Sequence, residues 1–366
     1  DILRQSARLG VYRDFSKILV QNGFAYLDSE RGKAAVKFRI PPNETVSFQD
    51  LVHGRIEFAP ASLEDFVIVK SDGFPTYHFA CVVDDHEMEI THVIRGDDHI
   101  SNTPKQLLLY EALGWKPPRL AHLPLVFGED RTPLSKRHGT VSLAAYRKDG
   151  YLAEGLLNYL ALLGWSGGGN QEIFNRDELI QKFSVKGINK TNACFGLEKL
   201  KWTNGEHLRR LSNDVYIDHM RDFFSDAPFL NHPHFPKIAL LFKDRIRTLR
   251  EFEEQAAFFF SEQMTFDSNA VRQYFAGENT KHALAEWRKH LAEDGNFSNP
   301  KALEALLRDT AKRLGIDARA LIHPTRVALS GRAVTPGLFE VMVLLGKEVV
   351  LKRLEYVIIN FNRIVG

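Results

Sequence analysis

A short apolar run, Leu123 to Phe127, passes into a polar loop that ends in Leu134-Ser135-Lys136-Arg137-His138-Gly139. A buried strand that delivers a basic loop at its carboxyl end suits phosphate chemistry. In open α/β sheets ligands sit outside the carboxyl ends of strands, and a lysine there neutralises charge building on a transferring or leaving phosphate. A Ser-Lys-Arg tripeptide also occurs as an ordinary solvated turn. Upstream, Arg95 closes the apolar segment ITHVIR, and Asp97, Asp98 and His99 follow in a strand-to-helix loop. Such an arginine either meets a ligand or pairs with the neighbouring aspartates, and an aspartate in such a loop can equally cap the next helix. Tyr77 and Cys81 stand one helical turn apart after Pro75 and so face the same way. A phenol can fix one polar group. A core aromatic with a wet tip and a small buried thiol are the structural alternatives.

The elements that must hold these residues read as follows. Leu9, Tyr12, Phe15 and Leu19 recur at helical intervals from Gln5 to Asn22, with Gly23 at the expected stop. The alternating runs at 35–40, 46–50 and 55–58 predict hairpin strands. Residues 65–85 run from a strand through a Ser-Asp-Gly turn into a helix. A strand at 90–96, a helix at 103–115 opened by Thr103-Pro104, and a strand at 121–127 complete the series. Strand, helix, strand, helix, strand is the grammar of a parallel sheet. It supplies part of a nucleotide-binding fold, because nothing before it reads as the sheet's first half. After Gly139 helical patterns dominate, interrupted at 231–236, 295–300 and 323–337.

Length and composition bound the class. A chain of 366 residues holds two or three domains, and 44% hydrophobic with 26% charged residues describes an ordinary soluble protein. No apolar run approaches the roughly 20 residues of a membrane helix, and the start lacks the features of a signal peptide. Cys81 and Cys194 cannot form a disulfide framework or a four-cysteine zinc site, which points to a reducing compartment, the cytoplasm or an organelle matrix. A net charge of +2 does not announce nucleic-acid binding, which rests on local clusters. Two clusters stand out, at 199–210 and 243–250, though charged runs are also commonly solvated helix faces.

The block SDGFPTYHFACVVDDHEMEITHVIRGDDHISNTPKQLLLYEALGW, the Leu-Ser-Lys-Arg loop, GYLAEGLLNYLALLGW, FGLEKLKWTNGE and VALSGRAVTPGLFEV occur in that order. Together they resemble the bacterial-type glutamyl-tRNA synthetases, class I aminoacyl-tRNA synthetases, from about Gln5 to about Leu354. The resemblance implies an α/β, partial Rossmann-like catalytic domain followed by all-α connecting and anticodon-binding domains. Residues 1–64 would be the remnant of an acceptor-binding insertion and 65–132 the second half of the nucleotide-binding domain. A helical stem-contact region at 133–213 and an all-α anticodon-binding domain at 214–366 would follow. It implies ATP-dependent attachment of glutamate to tRNA-Glu through glutamyl-adenylate, with ATP and Mg2+ as cofactors and no zinc site. The partners would be tRNA-Glu, ATP and L-glutamate, with no membrane, and the protein a monomer. Lys136 would stabilise the pyrophosphate leaving group, with Ser135 and Arg137 shaping the loop. Arg95 would grip the γ-carboxylate of glutamate, with Tyr77 and Cys81 beside it, and Asp98 and His99 would line the ATP site. Arg245, followed by Ile246-Arg247-Thr248-Leu249, matches the arginine that contacts the third anticodon base; the alternative is a charge on a solvated helix paired with Glu251 or Glu253.

Four departures accompany the resemblance. The family's His-Ile-Gly-His-like signature is absent, so the chain reads as N-terminally truncated and by itself inactive; neither His53-Gly54 nor His232-Pro233-His234 substitutes for it. Pro133 stands where many relatives carry a first loop lysine. Cys81 stands where the family carries Asn, and the span from Tyr26 to Ala34 is too short for the usual acceptor-binding subdomain. A non-catalytic tRNA-binding remnant and a related tRNA-modifying glutamyl transferase are the alternatives, the helical region from about 215 to 366 arguing against the latter.

Overall fold

The computed structural model describes residues 3–29, 34–42, 45–59, 62–132, 134, 142–277 and 279–366. Pro133, Ser135, Lys136, Arg137, His138 and Gly139 lie outside the described residues. The chain divides into two compact units, Asp1–Gly139 with Asn158–Gly196, and Thr140–Leu157 with Leu197–Gly366.

In the first unit, helix α1 (Leu9–Gln21) turns Tyr12, Ser16 and Leu19 inward, the spacing of one helical face. Strands β1 (Ala25–Asp28), β2 (Ala35–Phe38) and β5 (Phe66–Val69) form an antiparallel sheet in the order β1-β2-β5. Strands β3 (Val46–Asp50) and β4 (Gly54–Phe58) are a hairpin, but β3 also runs parallel to β7 (Arg119–Leu123), which runs parallel to β6 (His92–Gly96). The resulting order is β4-β3-β7-β6. The three runs at 35–40, 46–50 and 55–58 therefore do not form one hairpin series. β2 pairs with β1 and β5, and β3 lies in the parallel sheet of the site. Local alternation reports which face of a strand is buried, not which neighbour it takes.

Helices α2 (Tyr77–Glu87) and α3 (Thr103–Ala112) join these strands, and their buried faces share a core with Tyr12, Leu19, Phe38 and Ile68. Each such fully buried large side chain contributes about 1.5–3 kcal/mol. The segment 121–127 is two strands rather than one. Pro124, which has no N–H for a ladder, separates β7 from β8 (Val126–Phe127), and β8 pairs in parallel with β9 (Ala193–Cys194). The rest of this unit is carried by α5 (Ala153–Gly164) from Asn158 onward and by α6 (Arg176–Lys182), opened by an Asn175–Glu178 capping box.

The second unit is helical among its described residues: α4 (Leu143–Lys148), the start of α5, and then α7 (Leu197–Arg210), α8 (Asn213–Phe223), α9 (Phe235–Phe242) and α10 (Glu251–Phe260). Helices α11 (Ser268–Tyr274), α12 (Thr280–Asp294), α13 (Pro300–Arg313), α14 (Arg319–Ser330), α15 (Leu338–Ile359) and α16 (Phe361–Val365) follow. Their apolar faces close on a core that includes Trp287, Phe235, Phe242 and Phe252. The expected interruption at 323–337 is shorter than read. α14 continues through Pro324 to Ser330, and the break is confined to the residues before Leu338. A proline removes one backbone donor; here Pro324 is buried in the core face, and Thr325 Oγ1 bonds the carbonyl of Leu321 at 2.7 Å. α15 carries a break at Gly346, where φ is 78°.

Candidate functional site

In the first unit, β3, β7 and β6 run parallel, and Asp50, His122 and Arg95 stand at or next to their carboxyl ends, the edge where open α/β sheets bind ligands. Arg95 lies opposite His122 in the β6–β7 register. Its Nε donates to His122 Nε2 at 3.1 Å and its Nη2 to Thr103 Oγ1 at 2.8 Å. It does not pair with Asp97 or Asp98; Asp97 instead meets His53 Nε2 at 2.8 Å. The fully buried His122 faces Asp50 Oδ2 through Nδ1 at 2.7 Å. Asp50 also accepts the backbone N–H groups of Val52 and His53 at 2.8 and 2.9 Å and of His122 at 3.1 Å. Burial by itself would raise this carboxyl. The N–H donors and His122 outweigh it and hold the group below the ordinary carboxylate range.

The loop after β6 is a 3₁₀ turn, Asp97–Asn102, leading into α3. Gly96 precedes it in an extended conformation, with the Asp98 carboxylate folded over it. Asp98 does not cap α3, whose first turn has no side-chain cap. His99 Nδ1 lies 3.0 Å from Asn102 Nδ2 and 3.2 Å from the Tyr77 hydroxyl. Its Nε2 lies 3.7 Å from Asp98 Oδ2. Tyr77 is half exposed at the start of α2, not a core aromatic. Burial and then Cys81 raise its hydroxyl, opposed by Arg95. Burial and Asp85 raise the Cys81 thiol, opposed by Tyr77 and Arg95, so Cys81 is a neutral thiol near pH 7. The structure thus brings Tyr77, Cys81, Arg95, Asp98 and His99 together around one strand end, while Ser135, Lys136 and Arg137 lie outside the described residues. An anionic ligand group would meet an arginine here, beside hydroxyl and thiol donors.

In the second unit, Arg245 sits in the connection between α9 and α10, not within a helix. It is exposed and makes no ion pair among the described residues; Glu251 instead accepts the backbone N–H of Arg247 at 2.9 Å. Arg245 lines a cavity of about 500 Å³ with Phe242, Glu254, Arg332 and Thr335. Arg326 donates from Nη1 to Thr335 Oγ1 at 2.5 Å and to the Pro336 carbonyl at 2.9 Å. Burial, and then the charge of Arg245, lower its affinity for the proton. The cavity is of mixed charge, with Arg245 and Arg332 set against Glu251 and Glu254, and can offer both donors and acceptors to a polar ligand.

Sequence reasoning did not single out Asp50, His53, Thr103 or His122, nor Arg326 and Arg332. A signal existed for two of them. Asp50 occupies the buried phase of Val46-Phe48-Asp50, and His122 lies inside an apolar strand. A charged or titratable residue on the apolar phase of a strand implies a buried partner.

Comparison with known proteins places this architecture. Residues 27–202 match the catalytic-domain family of class I tRNA synthetases (E and Q), and residues 215–358 match an anticodon-binding domain family. The protein is therefore a class I tRNA synthetase by fold and domain order. It is 37% identical to the glutamate–tRNA ligase 2 of Fervidobacterium nodosum over 99% of this chain and 81% of that protein. It is 40% identical to the glutamate–tRNA ligase of Moorella thermoacetica over 90% of this chain and 68% of that one. A crystal structure of a glutamate tRNA ligase from Elizabethkingia meningosepticum in complex with its amino acid superposes with a TM-score of 0.87 at 27% identity, covering 97% of this chain and 83% of that one. The chain belongs to the glutamate–tRNA ligase family.

Proposed function

We propose that this protein serves the ATP-dependent attachment of glutamate to tRNA-Glu through a glutamyl-adenylate. The observation that supports this most is the gathering of Arg95, Tyr77 and Cys81 at the end of β6, in a chain of this family. Arg95 takes the γ-carboxylate of glutamate, because the planar guanidinium offers a fixed pair of donors that a carboxylate matches. Tyr77 and Cys81 border that carboxylate. Asp98 and His99 face ATP: the carboxylate accepts from hydroxyl donors, and the imidazole ring offers a flat face and a ring nitrogen. The α-carboxylate of glutamate attacks the α-phosphate of ATP and pyrophosphate leaves. Lys136 balances the charge that builds on the leaving group, flanked by Ser135 and Arg137. Magnesium accompanies ATP.

The helical unit carries anticodon reading, with the exposed Arg245 reading the edge of a base. In domain terms, residues 1–64 are a reduced acceptor-side insertion except that β3 and β4 join the sheet of the site, 65–132 belong to the nucleotide-binding half, 133–213 contact the tRNA stem, and 214–366 bind the anticodon. No helix among the described residues is long and apolar enough to cross a membrane. A cytoplasmic monomer is the proposed state. The test is amino-acid-dependent ATP–pyrophosphate exchange, with L-glutamate, L-glutamine and L-aspartate compared, together with charging of tRNA-Glu. Exchange driven equally by glutamine, or tRNA-Glu binding no tighter than that of an unrelated tRNA, would overturn the reading.

A further inference from the structure

Arg95 is held in an unusual way for a buried-edge arginine. His122 Nε2 and Thr103 Oγ1, which accept from it, are both neutral, the Tyr77 hydroxyl also bonds it, and among the described residues no carboxylate forms an ion pair with it. Asp85 lines the same pocket and acts on Arg95 through space, its own carboxyl raised by burial, and Asp50 stands one residue removed, behind the imidazole. A carboxylate in direct contact would fix the guanidinium equally well, but it would cancel the charge that a carboxylate ligand must meet.

We propose that Asp50 and His122 form a positioning pair for Arg95, in which Asp50 fixes the tautomer of His122 so that its Nε2 lone pair holds the guanidinium without neutralising it. The inference rests on Arg95 being the glutamate-binding residue. Asp50 is buried and accepts at one oxygen from Val52 N–H and His53 N–H, and at the other from His122 N–H and the His122 ring. It therefore stays ionised and can only accept, which places the ring proton on Nδ1. Nε2 is left as an acceptor facing Arg95 Nε–H. The opposite tautomer, or the imidazolium, would set a donor against a donor. The turn between β3 and β4 is wrapped around the same carboxylate, so the hairpin that carries Asp50 is a structural support of the strand-end site.

The pair predicts a specific pattern. In Asp50→Asn the new amide donates toward the ring, Nδ1 must accept, and the proton moves to Nε2, against Arg95. Glutamate binding by the full chain, measured calorimetrically, should weaken by about 10–100-fold, the scale on which groups behind a ligand-binding residue act. ATP binding should change by less than glutamate binding, because Asp98 and His99 meet the pair only indirectly, through Thr103 and through His53 and Asp97. His122→Gln, which offers a neutral oxygen to Arg95, should retain most of the affinity, whereas His122→Leu should lose it. Nitrogen-15 spectra of the parent protein at pH 7 should show His122, assigned by its disappearance in His122→Gln, as the Nδ1–H tautomer. An Nε2–H or imidazolium signature in the parent protein would overturn the inference even if Asp50→Asn does not fold, and so would glutamate binding in Asp50→Asn within twofold of the parent. If Arg95→Ala leaves glutamate binding unchanged, the assignment of Arg95 itself fails. Loss of binding in Arg95→Ala with none in Asp50→Asn or His122→Leu would refute the positioning pair alone.

Discussion

Asn204 offers a perturbation whose cost can be worked from the structure. It is fully buried in α7, accepts the backbone N–H of Leu152 at 2.8 Å through Oδ1, and donates from Nδ2 to the carbonyl of Arg247 at 2.5 Å. One amide therefore laces the segment before α5 to the connection that carries Arg245. The Leu249 N–H, which bonds the Gly150 carbonyl at 2.9 Å, adds a second stitch. The fit is close, since a Cβ on Gly155 would lie 2.5 Å from Asn204 Oδ1. Asn204→Ala strands two backbone groups, and an orphaned buried group costs about 1–3 kcal/mol. The two are not equal. Leu152 is 5% exposed, so its N–H stays dry, whereas Arg247 is exposed and its carbonyl can rehydrate. The upper half of the range applies to the first and the lower end to the second, about 3 kcal/mol together. In a unit of this size 1 kcal/mol moves the midpoint by about 2–4 °C, so thermal unfolding should shift down by about 6–12 °C. Scanning calorimetry on the full chain measures it, with tRNA affinity as the functional readout, since Arg245 is two residues from the lost anchor. Thr203→Ala is the control: its hydroxyl bonds only the Lys199 carbonyl of its own helix, a loss of about 1 kcal/mol. A midpoint for Asn204→Ala within 2 °C of the parent, or no lower than that of Thr203→Ala, would refute the reasoning.

Three further outcomes follow from other residues. Where the parent protein catalyses glutamate-dependent ATP–pyrophosphate exchange, Lys136→Ala should slow adenylate formation by about 2.7–4 kcal/mol in barrier while tRNA binding by filter assay stays nearly intact; unchanged exchange would remove Lys136 from the chemistry. Arg245→Gln should relax discrimination between tRNA-Glu and tRNA-Gln by about 1–3 kcal/mol with little change in the salt slope, whereas a uniform loss with a shallower slope would make Arg245 a phosphate contact. Arg353, buried in α15, donates to the carbonyls of Leu329, Phe258 and Ser261 at 2.6, 2.7 and 3.0 Å. Arg353→Leu should lower stability by about 3–5 kcal/mol in urea unfolding, because three carbonyls lose a charged donor, and a loss below 1 kcal/mol would show that packing alone holds that helix pair.

The sequence by itself determined the periodicities and therefore most elements. Leu9, Tyr12, Phe15 and Leu19 announced α1, Thr103-Pro104 announced the start of α3, and the change of pattern after Gly139 announced a helical unit. It also carried the family resemblance, because ordered blocks of residues survive where elements are merely shuffled in length. Strand partners were decided only in three dimensions. Alternation fixes which side of β3 is buried, yet nothing local tells that β3 lies beside β7 rather than β2, since that choice belongs to contacts distant in sequence. The same holds for the split at Pro124, where two strands enter different sheets. Tyr77, Arg95, Asp98 and His99 were legible because they cluster within 23 residues of chain. Asp50 and His122 were not, because they are separated by 72 residues and meet only when β3 and β7 lie side by side. A buried carboxylate shows itself in sequence as a misplaced charge on an apolar strand; only the tertiary structure supplies the imidazole that makes burial tolerable and, through it, the arginine it orients.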